Sequence, residues 1–231
     1  MIAQAGKIVL AAVTLVTAVG ARRRQLGWGA TAAETRCSLT GDDLIPDPNL
    51  NATRAITIRA GADDVWPWLV QLGQGRGGFY SYDRLENLAG CDIHSADVVN
   101  PAWQHLEVGD LVRLAPEVAL TVAVVDPPRT LVLRGGVMPG QATAPYDFTW
   151  TFHLVAVSPV ETRLLVRERY SYAQWWARLI VEPVTIVSFV MTRRMLNGLR
   201  DRAEQRALPA NQPAGGNPVG ARQGDHDDVL G

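Results

Sequence analysis

The sequence contains few cysteines and almost no net charge, and both shortages exclude whole classes of protein. Its 231 residues include only two cysteines, Cys37 and Cys91. Two cysteines cannot build a framework of several disulfides, and they leave the redox compartment open. The 22 basic and 23 acidic side chains give a net charge of -1. Because no excess of positive charge is available to attract a polyanion, we expect no nucleic-acid partner.

Motifs for catalysis and metal binding are also scarce. Residues 73–78 spell G-x-G-x-x-G, but they follow a predicted helix, whereas a dinucleotide-binding loop follows a strand and opens a helix. We interpret this run as a glycine-rich turn. Cys91 and His94 stand at C-x-x-H spacing, which is half of a zinc site, and no second pair completes it. We therefore predict no metal and no cofactor.

One apolar run stands out at the N-terminus. Residues 8–21 are uncharged and mostly apolar, and three arginines follow at 22–24. A spanning helix needs about 20 residues, a length reached only by including the residues before the run. Because positive charge favours the cytoplasmic side, residues 1–24 are predicted to be an uncleaved membrane anchor with the domain in the cytoplasm. The alternative is a signal peptide that is cleaved on export, with a small-residue exit ending at Gly20.

The remaining chain is predicted to hold one domain. Residues 25–51 are interrupted by glycine and proline and are interpreted as a linker and lead-in. Residues 208–231 are rich in Pro, Gly, Asn and Asp and are predicted to be disordered. The domain proper therefore covers residues 52–207.

The order of elements in this domain predicts an α+β fold. Alternating residues predict a strand at 53–59, and two short helices follow, one after Asp63 and one at 82–89. Five further strand-like runs are separated by turn residues; they cover 110–114, 120–125, 130–134, 146–155 and 162–170. Short connections favour an antiparallel sheet. A long helical stretch at 174–207 ends the domain, and a curved sheet around that helix would leave a cavity suited to a small molecule.

Several segments resemble a family. Residues 65–71 (VWPWLVQ), 73–83 (GQGRGGFYSYD) and 85–91 (LENLAGC) are similar to a bacterial subgroup of the SRPBCC (START/polyketide cyclase-like) superfamily. The lead-in at 41–44 and the C-terminal part of the last helix are similar too. The resemblance implies a helix-grip fold, in which a curved antiparallel sheet wraps around a long C-terminal helix and a hydrophobic cavity. It leaves the function open, because superfamily members include lipid carriers, hormone receptors, cyclases and dioxygenase subunits.

The last two strands predict which side chains face this cavity. Trp150 and Phe152 share the apolar face of one strand. On the next strand Glu168 and Tyr170 share one face, and the opposite face is basic (Arg163, Arg167 and Arg169) and is expected to face solvent. An inward carboxylate must be paired, hydrogen-bonded or neutral, which makes Glu168 the candidate functional group. The alternative is that Glu168 lies at the open end of the strand and reaches water.

The complete predicted ligand-binding set consists of aromatic and polar residues on these strands, around the glycine-rich turn and on the last helix. It comprises Trp66, Tyr80, Tyr82, Trp150, Phe152, Glu168, Tyr170 and Met191. Asp83, Glu86 and Asn87 share a helix face. We interpret that face as structural, although two buried carboxylates with different pKa values could perform acid/base chemistry.

These observations predict a non-enzymatic protein that binds a hydrophobic small molecule or lipid at a membrane. The alternative is a cyclase or dehydratase that uses inward polar groups, namely Glu168, Tyr170 and His94. A second alternative is a structural or regulatory membrane-associated protein whose cavity is filled by its own side chains. The ligand and the oligomeric state remain open.

Overall fold

The computed structural model describes residue 14, residues 17–135 and residues 144–208. Most of the predicted anchor, and the tail from residue 209 that was predicted to be disordered, lie outside the described residues. Residues 17–26 are helical. Within the described ranges, the helices are all too short or too polar to span a bilayer. The anchor therefore stays a prediction.

In the part of the chain that the structure describes, six strands form one antiparallel sheet in the order β1-β6-β5-β4-β3-β2. The strands are β1 (Leu50–Ile58), β2 (Leu111–Ala115), β3 (Val118–Asp126), β4 (Thr130–Gly135), β5 (Tyr146–Ser158) and β6 (Glu161–Tyr172). Each strand from β2 to β5 pairs with the next one in the chain, and β1 pairs with β6. Register shifts in β2, β3 and β5 mark bulges, which bend a sheet.

The helices are α1 (Ala32–Arg36), α2 (Ala62–Val70), α3 (Asp83–Leu88) and α4 (Ala177–Ala207), with short 3-10 turns at Asp42–Leu44 and Pro101–Trp103. Helix α1 begins at a capping box formed by Thr31 and Glu34. The first turn of α2 carries Asp63 and Asp64, where negative charge is favoured. The long helix α4 packs against α2 and β1. The predicted α+β helix-grip architecture is confirmed, and the element bounds shift by a few residues.

The main core lies where α2 and α4 meet the sheet. Its deeply buried members include large apolar side chains from the sheet, from α2 and the turn after it, and from α4: Ile58, Leu69, Leu72, Leu131, Leu133, Phe152, Leu164, Met195 and Leu199. Truncating one such side chain to alanine costs about 2–5 kcal/mol. This packing fixes α4 relative to β5 and β6, which carry the inward polar residues.

On the opposite face of the sheet, one prediction is wrong. Arg167 and Arg169 were expected to face solvent, but they are only 1% and 8% exposed. The lead-in covers them, because Arg167 forms a 2.6 Å ion pair with Asp42 and Arg169 lies 3.1 Å from the same carboxylate. Arg169 also donates to the carbonyl of Ile45. Strand alternation identifies the face of β6 that points away from the cavity, but it does not reveal which segment covers that face.

Candidate functional site

A cavity of about 400 Å³ lies between the sheet and α4. Its walls come from the turn after α2, from α3, from β2, β3, β5 and β6, and from α4. The lining side chains are Phe79, Ser81, Glu86, Cys91, Leu114, Val118, Ala119, Leu120, Tyr146, Phe148, Trp150, Glu168, Tyr170, Val184, Ser188, Met191, Thr192 and Met195. The wall is mostly apolar with a few polar groups, which is the usual chemistry of a small-molecule site.

The structure brings half of the predicted ligand-binding set together. Trp150, Glu168, Tyr170 and Met191 all line the cavity. Phe152 shares a face with Trp150 but is fully buried in the core. The inward face of β5 and β6 is thus divided along its length, with packed core at one end and cavity at the other. Strand periodicity identifies the inward face and does not locate this division.

The other predicted residues lie outside the cavity wall. Trp66 is a core residue, whereas Tyr80 and Tyr82 border a separate polar groove. Tyr80 is buried, and its hydroxyl donates to the carbonyl of Trp68 at 3.1 Å and accepts from Gln71 at 3.0 Å. Burial is the main reason that the pKa of Tyr80 is raised well above its usual range. Its contacts make Tyr80 an anchor for the glycine-rich turn.

Glu168 is the most elaborately bound carboxylate of the site. It is 1% exposed, so it does not lie at a water-filled end of the strand. Its Oε1 accepts hydrogen bonds from Arg54 at 2.6 Å, Ser188 at 2.7 Å and Thr192 at 3.3 Å. Its Oε2 is buried and has no hydrogen-bond partner among the described residues. An inward carboxylate requires such partners, because an unpaired buried charge is costly.

The partners of Glu168 come from both sides of the cavity. Arg54 projects from β1 and is fully buried, with its guanidinium 5.7 Å from the Phe189 ring. Ser188 and Thr192 are one turn apart on α4, so they present their hydroxyls on the same side of the helix. Arg54 was not predicted as a site residue. Arg54 alternates with Ile56 and Ile58 on the same face of β1. This alternation could have predicted that the Arg54 side chain points inward.

Glu86 is the second carboxylate on the cavity wall. The interpretation of its helix face as structural holds for its neighbours: Asp83 accepts from the backbone and hydroxyl of Ser95, and Asn87 bonds both backbone groups of Ile93. Glu86 itself is 6% exposed and lines the cavity. Burial, and secondarily the charge of Asp83, raise its pKa to about 7. No local signal marks Glu86, because α3 exposes its leucines and buries this carboxylate.

An aromatic group completes the polar end of the cavity. The ring of Tyr170 lies 4.6 Å from that of Phe148 and 5.8 Å from that of Tyr146, measured between centroids. Burial, followed by the neighbouring Glu168, raises the pKa of Tyr170 well above its usual value. The phenol therefore stays protonated at physiological pH and can act only as a neutral hydroxyl.

The pair Cys91 and His94 does not assemble into a site. The His94 side chain is 81% exposed and lies 3.8 Å from Asp92, whereas Cys91 lines the cavity. Among the described residues, no group of three or more His, Cys, Asp or Glu side chains could hold a metal ion.

The strand order, the antiparallel pairing and the long C-terminal helix over a cavity together decide the fold. This arrangement is a helix-grip fold. No family model and no curated protein matches the sequence. Solved structures similar to this helix-grip chain include the Zhui aromatase/cyclase from Streptomyces sp. R1128, at 17% identity and TM-score 0.39, covering 70% of this chain and 97% of that one.

Two other solved structures are similar over comparable shares of the chain. Truncated norcoclaurine synthase from Thalictrum flavum is 15% identical, with a TM-score of 0.38, and the match covers 70% of this chain and 95% of that one. A protein from Nitrosospira multiformis is also 15% identical, with a TM-score of 0.41, covering 66% of this chain and 94% of that one. At these identities the neighbours indicate nothing about activity, so the function must be argued from the cavity itself.

Proposed function

We propose that this helix-grip protein binds a hydrophobic small molecule or lipid in the cavity between its sheet and α4. The observation that carries the proposal is the size and chemistry of that cavity. Its volume of about 400 Å³ exceeds the lower end, roughly 300 Å³, of the range typical of ligand pockets. Apolar walls that face no neighbouring atoms lose dispersion contacts, and an apolar ligand would restore them.

The same volume argues against the alternative in which the protein's own side chains fill the cavity. That reading requires a space too small for a ligand, and the Phe148, Trp150 and Tyr170 rings instead lie along one wall. The rings of Phe148 and Tyr170 lie 4.6 Å apart between centroids, and that of Trp150 lies 6.2 Å from the ring of Phe79. A flat or chain-like apolar molecule would fit between these rings and Met191.

Native mass spectrometry with organic extraction tests this proposal directly. The full chain purified from its own cells is expected to carry an apolar compound, or to bind added apolar probes when it is purified without one. Val118→Trp, which places a large ring on the same strand face as the cavity-lining Leu120, should abolish that binding. Ala156→Trp, on an exposed position of β5, is the matched control. A wild-type protein that neither carries nor takes up any apolar compound would contradict the proposal.

We further propose that binding takes place at a membrane, with the domain in the cytoplasm. Two features support this. The apolar run at 8–21 overlaps the helical residues 17–26, and Arg22 in that helical segment forms an ion pair with Glu182 of α4. The N-terminal half of α4 and the segment just before it expose large apolar side chains: Trp175, Leu179, Ile186, Val187 and Val190. Exposed apolar patches of this kind mark interaction surfaces.

Vesicle flotation tests the membrane proposal. The full chain should float with phospholipid vesicles, and Leu179→Asp combined with Val190→Asp should reduce the floating fraction. Val160→Asp, at an exposed turn between β5 and β6, should leave it unchanged. Equal flotation of all three proteins would count against a role for α4, and no flotation of the wild type would count against the membrane proposal as a whole.

A second candidate function is an enzyme of the cyclase or dehydratase type. One observation favours it: the cavity holds two carboxylates in different environments, Glu168 ion-paired with Arg54 and Glu86 with its pKa raised to about 7. Carboxylates in contrasting environments are the usual arrangement for acid/base catalysis. His94 does not belong to this set, because it is exposed and off the cavity wall. Incubating an extracted ligand with wild-type protein and with Glu86→Gln distinguishes the two functions, since only an enzyme converts it to a new mass.

A further inference from the structure

A polar groove of about 690 Å³ lies next to the cavity. The turn after α2, helix α3 with the loop that follows it, and α4 form its walls. Ser81 lies on the wall of both spaces, and its hydroxyl donates to the backbone carbonyl of Met191 at 3.2 Å. Met191 lines the cavity, whereas Arg194, further along α4, lines the groove. The cavity and the groove therefore adjoin where Ser81 contacts α4.

Two arginines of the groove have no ion-pair partner in the part of the chain that the structure describes. Arg84 on α3 and Arg194 on α4 are exposed, and neither side chain forms a hydrogen bond or an ion pair with another described residue. Each guanidinium therefore keeps its donors for a ligand. A guanidinium binds a carboxylate or a phosphate through two parallel hydrogen bonds, so two of them in one groove are suited to an acidic group.

The two carboxylates of the groove are engaged elsewhere. Asp83 accepts hydrogen bonds from the backbone N–H of Ser95 at 2.8 Å and from its hydroxyl at 2.6 Å. Asp97 pairs with Arg202 at 2.7 Å, and the Arg202 guanidinium also lies 4.9 Å from the centre of the Tyr80 ring. The third arginine of the groove is thus occupied, and the first two are not.

The backbone next to Ser81 has a conformation that residues other than glycine rarely adopt. Tyr80 has a φ of 56°, in the left-handed region. Its carbonyl oxygen lies close to α4, because a Cβ at Gly198 would be only 2.3 Å from it. Its hydroxyl is fixed by Gln71 and by the carbonyl of Trp68. Such conformations persist only where the surroundings fix them, and they cluster at ligand sites.

Charge is distributed unequally between the cavity and the groove. The cavity wall carries Glu86 and Glu168, and none of its described residues is Lys, Arg or His. Arg54 is buried and already paired with Glu168. An acidic group inside the cavity would therefore lie near two carboxyl groups without a free cation, whereas in the groove it would meet two arginines. The cavity favours an apolar group and the groove favours an anion.

We propose that the ligand is an amphiphile with an acidic head group, a phosphate or a carboxylate. Its apolar part occupies the cavity, and its head group passes Ser81 and binds Arg84 and Arg194 in the groove. This inference rests on the proposed binding function and specifies the ligand class of the same cavity. Because both arginines are exposed, each ion pair contributes modestly, and the two together are expected to raise the affinity about tenfold.

Matched probes test the head group separately from the apolar chain. The full chain in a non-ionic amphipol is loaded with the neutral fluorescent probe N-phenylnaphthylamine, which is then displaced by decanol, decylamine, decanoate or decyl phosphate. The better of the two acidic probes is expected to bind about tenfold more tightly than decanol, and added salt should reduce that difference. Equal affinity for decanol and both acids, or a preference for decylamine, would overturn the inference.

A double variant tests the two arginines. Arg84→Gln combined with Arg194→Gln should weaken binding of the acidic probe about tenfold and leave the affinity for decanol unchanged, which also shows that the variant is folded. Arg36→Gln combined with Arg129→Gln, at two exposed positions outside the groove, is the matched control and should change neither affinity. An unchanged preference for the acidic probe in the groove variant would overturn the inference.

The remaining outcomes separate this inference from the binding function. If neither the fluorescent probe nor any decyl compound binds, the binding function itself is contradicted; if decanol binds and the acids gain nothing, only the ligand class is. Val118→Trp should abolish binding of the acidic probe together with decanol, and acid binding that survives it would show that the groove binds anions independently of the cavity. A groove variant that floats less with phosphatidylglycerol vesicles but keeps its affinity for the acidic probe would assign the arginines to membrane lipid and overturn the inference.

Discussion

The buried ion pair between Arg54 and Glu168 makes the strongest quantitative prediction. Both side chains are almost completely buried, and the N–O distance is 2.6 Å. Removing one partner of a buried pair costs about 3–5 kcal/mol, because the other charge is left without compensation. We expect Arg54→Met to lower the free energy of unfolding by that amount. Glu168 would then keep only the hydroxyls of Ser188 and Thr192, which are weaker donors than a guanidinium.

A double variant separates the contribution of the ion pair to stability from the effect of lost packing. In Arg54→Met combined with Glu168→Gln, no buried charge remains, and the amide can still accept from both α4 hydroxyls. The double variant should therefore be more stable than Arg54→Met alone. Arg59→Met is the control, because the Arg59 side chain is 83% exposed and lies 3.9 Å from Glu204. An exposed pair contributes only about 0–1 kcal/mol.

Urea unfolding is followed by circular dichroism and by tryptophan fluorescence for five proteins: the wild type, Arg54→Met, Glu168→Gln, the double variant and Arg59→Met. Coincident transitions justify a two-state treatment. The reasoning is refuted if Arg54→Met loses less than about 1 kcal/mol, the range of the exposed control. It is also refuted if the two single losses simply add in the double variant, because uncoupled residues behave in that way.

Three further predictions concern other parts of the domain. Gly198→Ala should destabilise the fold by about 1–3 kcal/mol in a thermal melt, because a Cβ there would lie 2.3 Å from the Tyr80 carbonyl oxygen. Burial raises the pKa of Glu86 to about 7 from 4.5, so the folded state binds a proton more tightly than the unfolded state. The free energy of unfolding, measured by urea titration, should therefore fall by up to about 3 kcal/mol as the pH rises from 4.5 to about 7. Glu86→Gln should remove this pH dependence. Asp42→Asn should cost about 3 kcal/mol in the same assay, because Arg167 would lose its buried partner.

The Gly198 and Asp42 predictions each have a control at an exposed or open position. Gly20→Ala adds a Cβ where no atom lies within 4 Å and should not destabilise the protein. Asp43→Asn changes an exposed carboxylate next to the buried one. Equal effects of Asp42→Asn and Asp43→Asn would contradict the assignment of Asp42 as the partner of the β6 arginines. If Glu86→Gln leaves the pH dependence of the free energy of unfolding unchanged, that dependence comes from other groups and the prediction for Glu86 is wrong.

The local pattern of the chain predicted most of the architecture. Alternation at 53–59 predicted the strand observed at Leu50–Ile58, and the run at 146–155 predicted the strand at Tyr146–Ser158. These predictions were confirmed because side chains alternate with a period of two in strands and about 3.6 in helices, and the chain carries that period wherever one face is buried. The same alternation placed Glu168 and Tyr170 inward.

The candidate site was only partly predictable for a related reason. Trp150 and Phe152 have the same local pattern, yet one lines the cavity and the other is core. Glu86 lies on a short helix whose leucines are exposed, so its burial depends on what packs against α3. Arg167 is buried by a segment more than a hundred residues earlier in the chain. None of these differences can be predicted from the residues next to the side chain concerned.

The sequence alone therefore determined the order of strands and helices, the faces of the strands and the presence of an inward carboxylate, because these depend on periodicity within a few residues. Tertiary structure decided where the cavity lies, that Arg54, Ser188 and Thr192 hold Glu168, and that Glu86 belongs to the same wall. Those features depend on how a β-strand near the N-terminus, a short helix and the C-terminal helix are brought against one sheet. Such long-range contacts arise from packing of the whole core, and no local pattern specifies them.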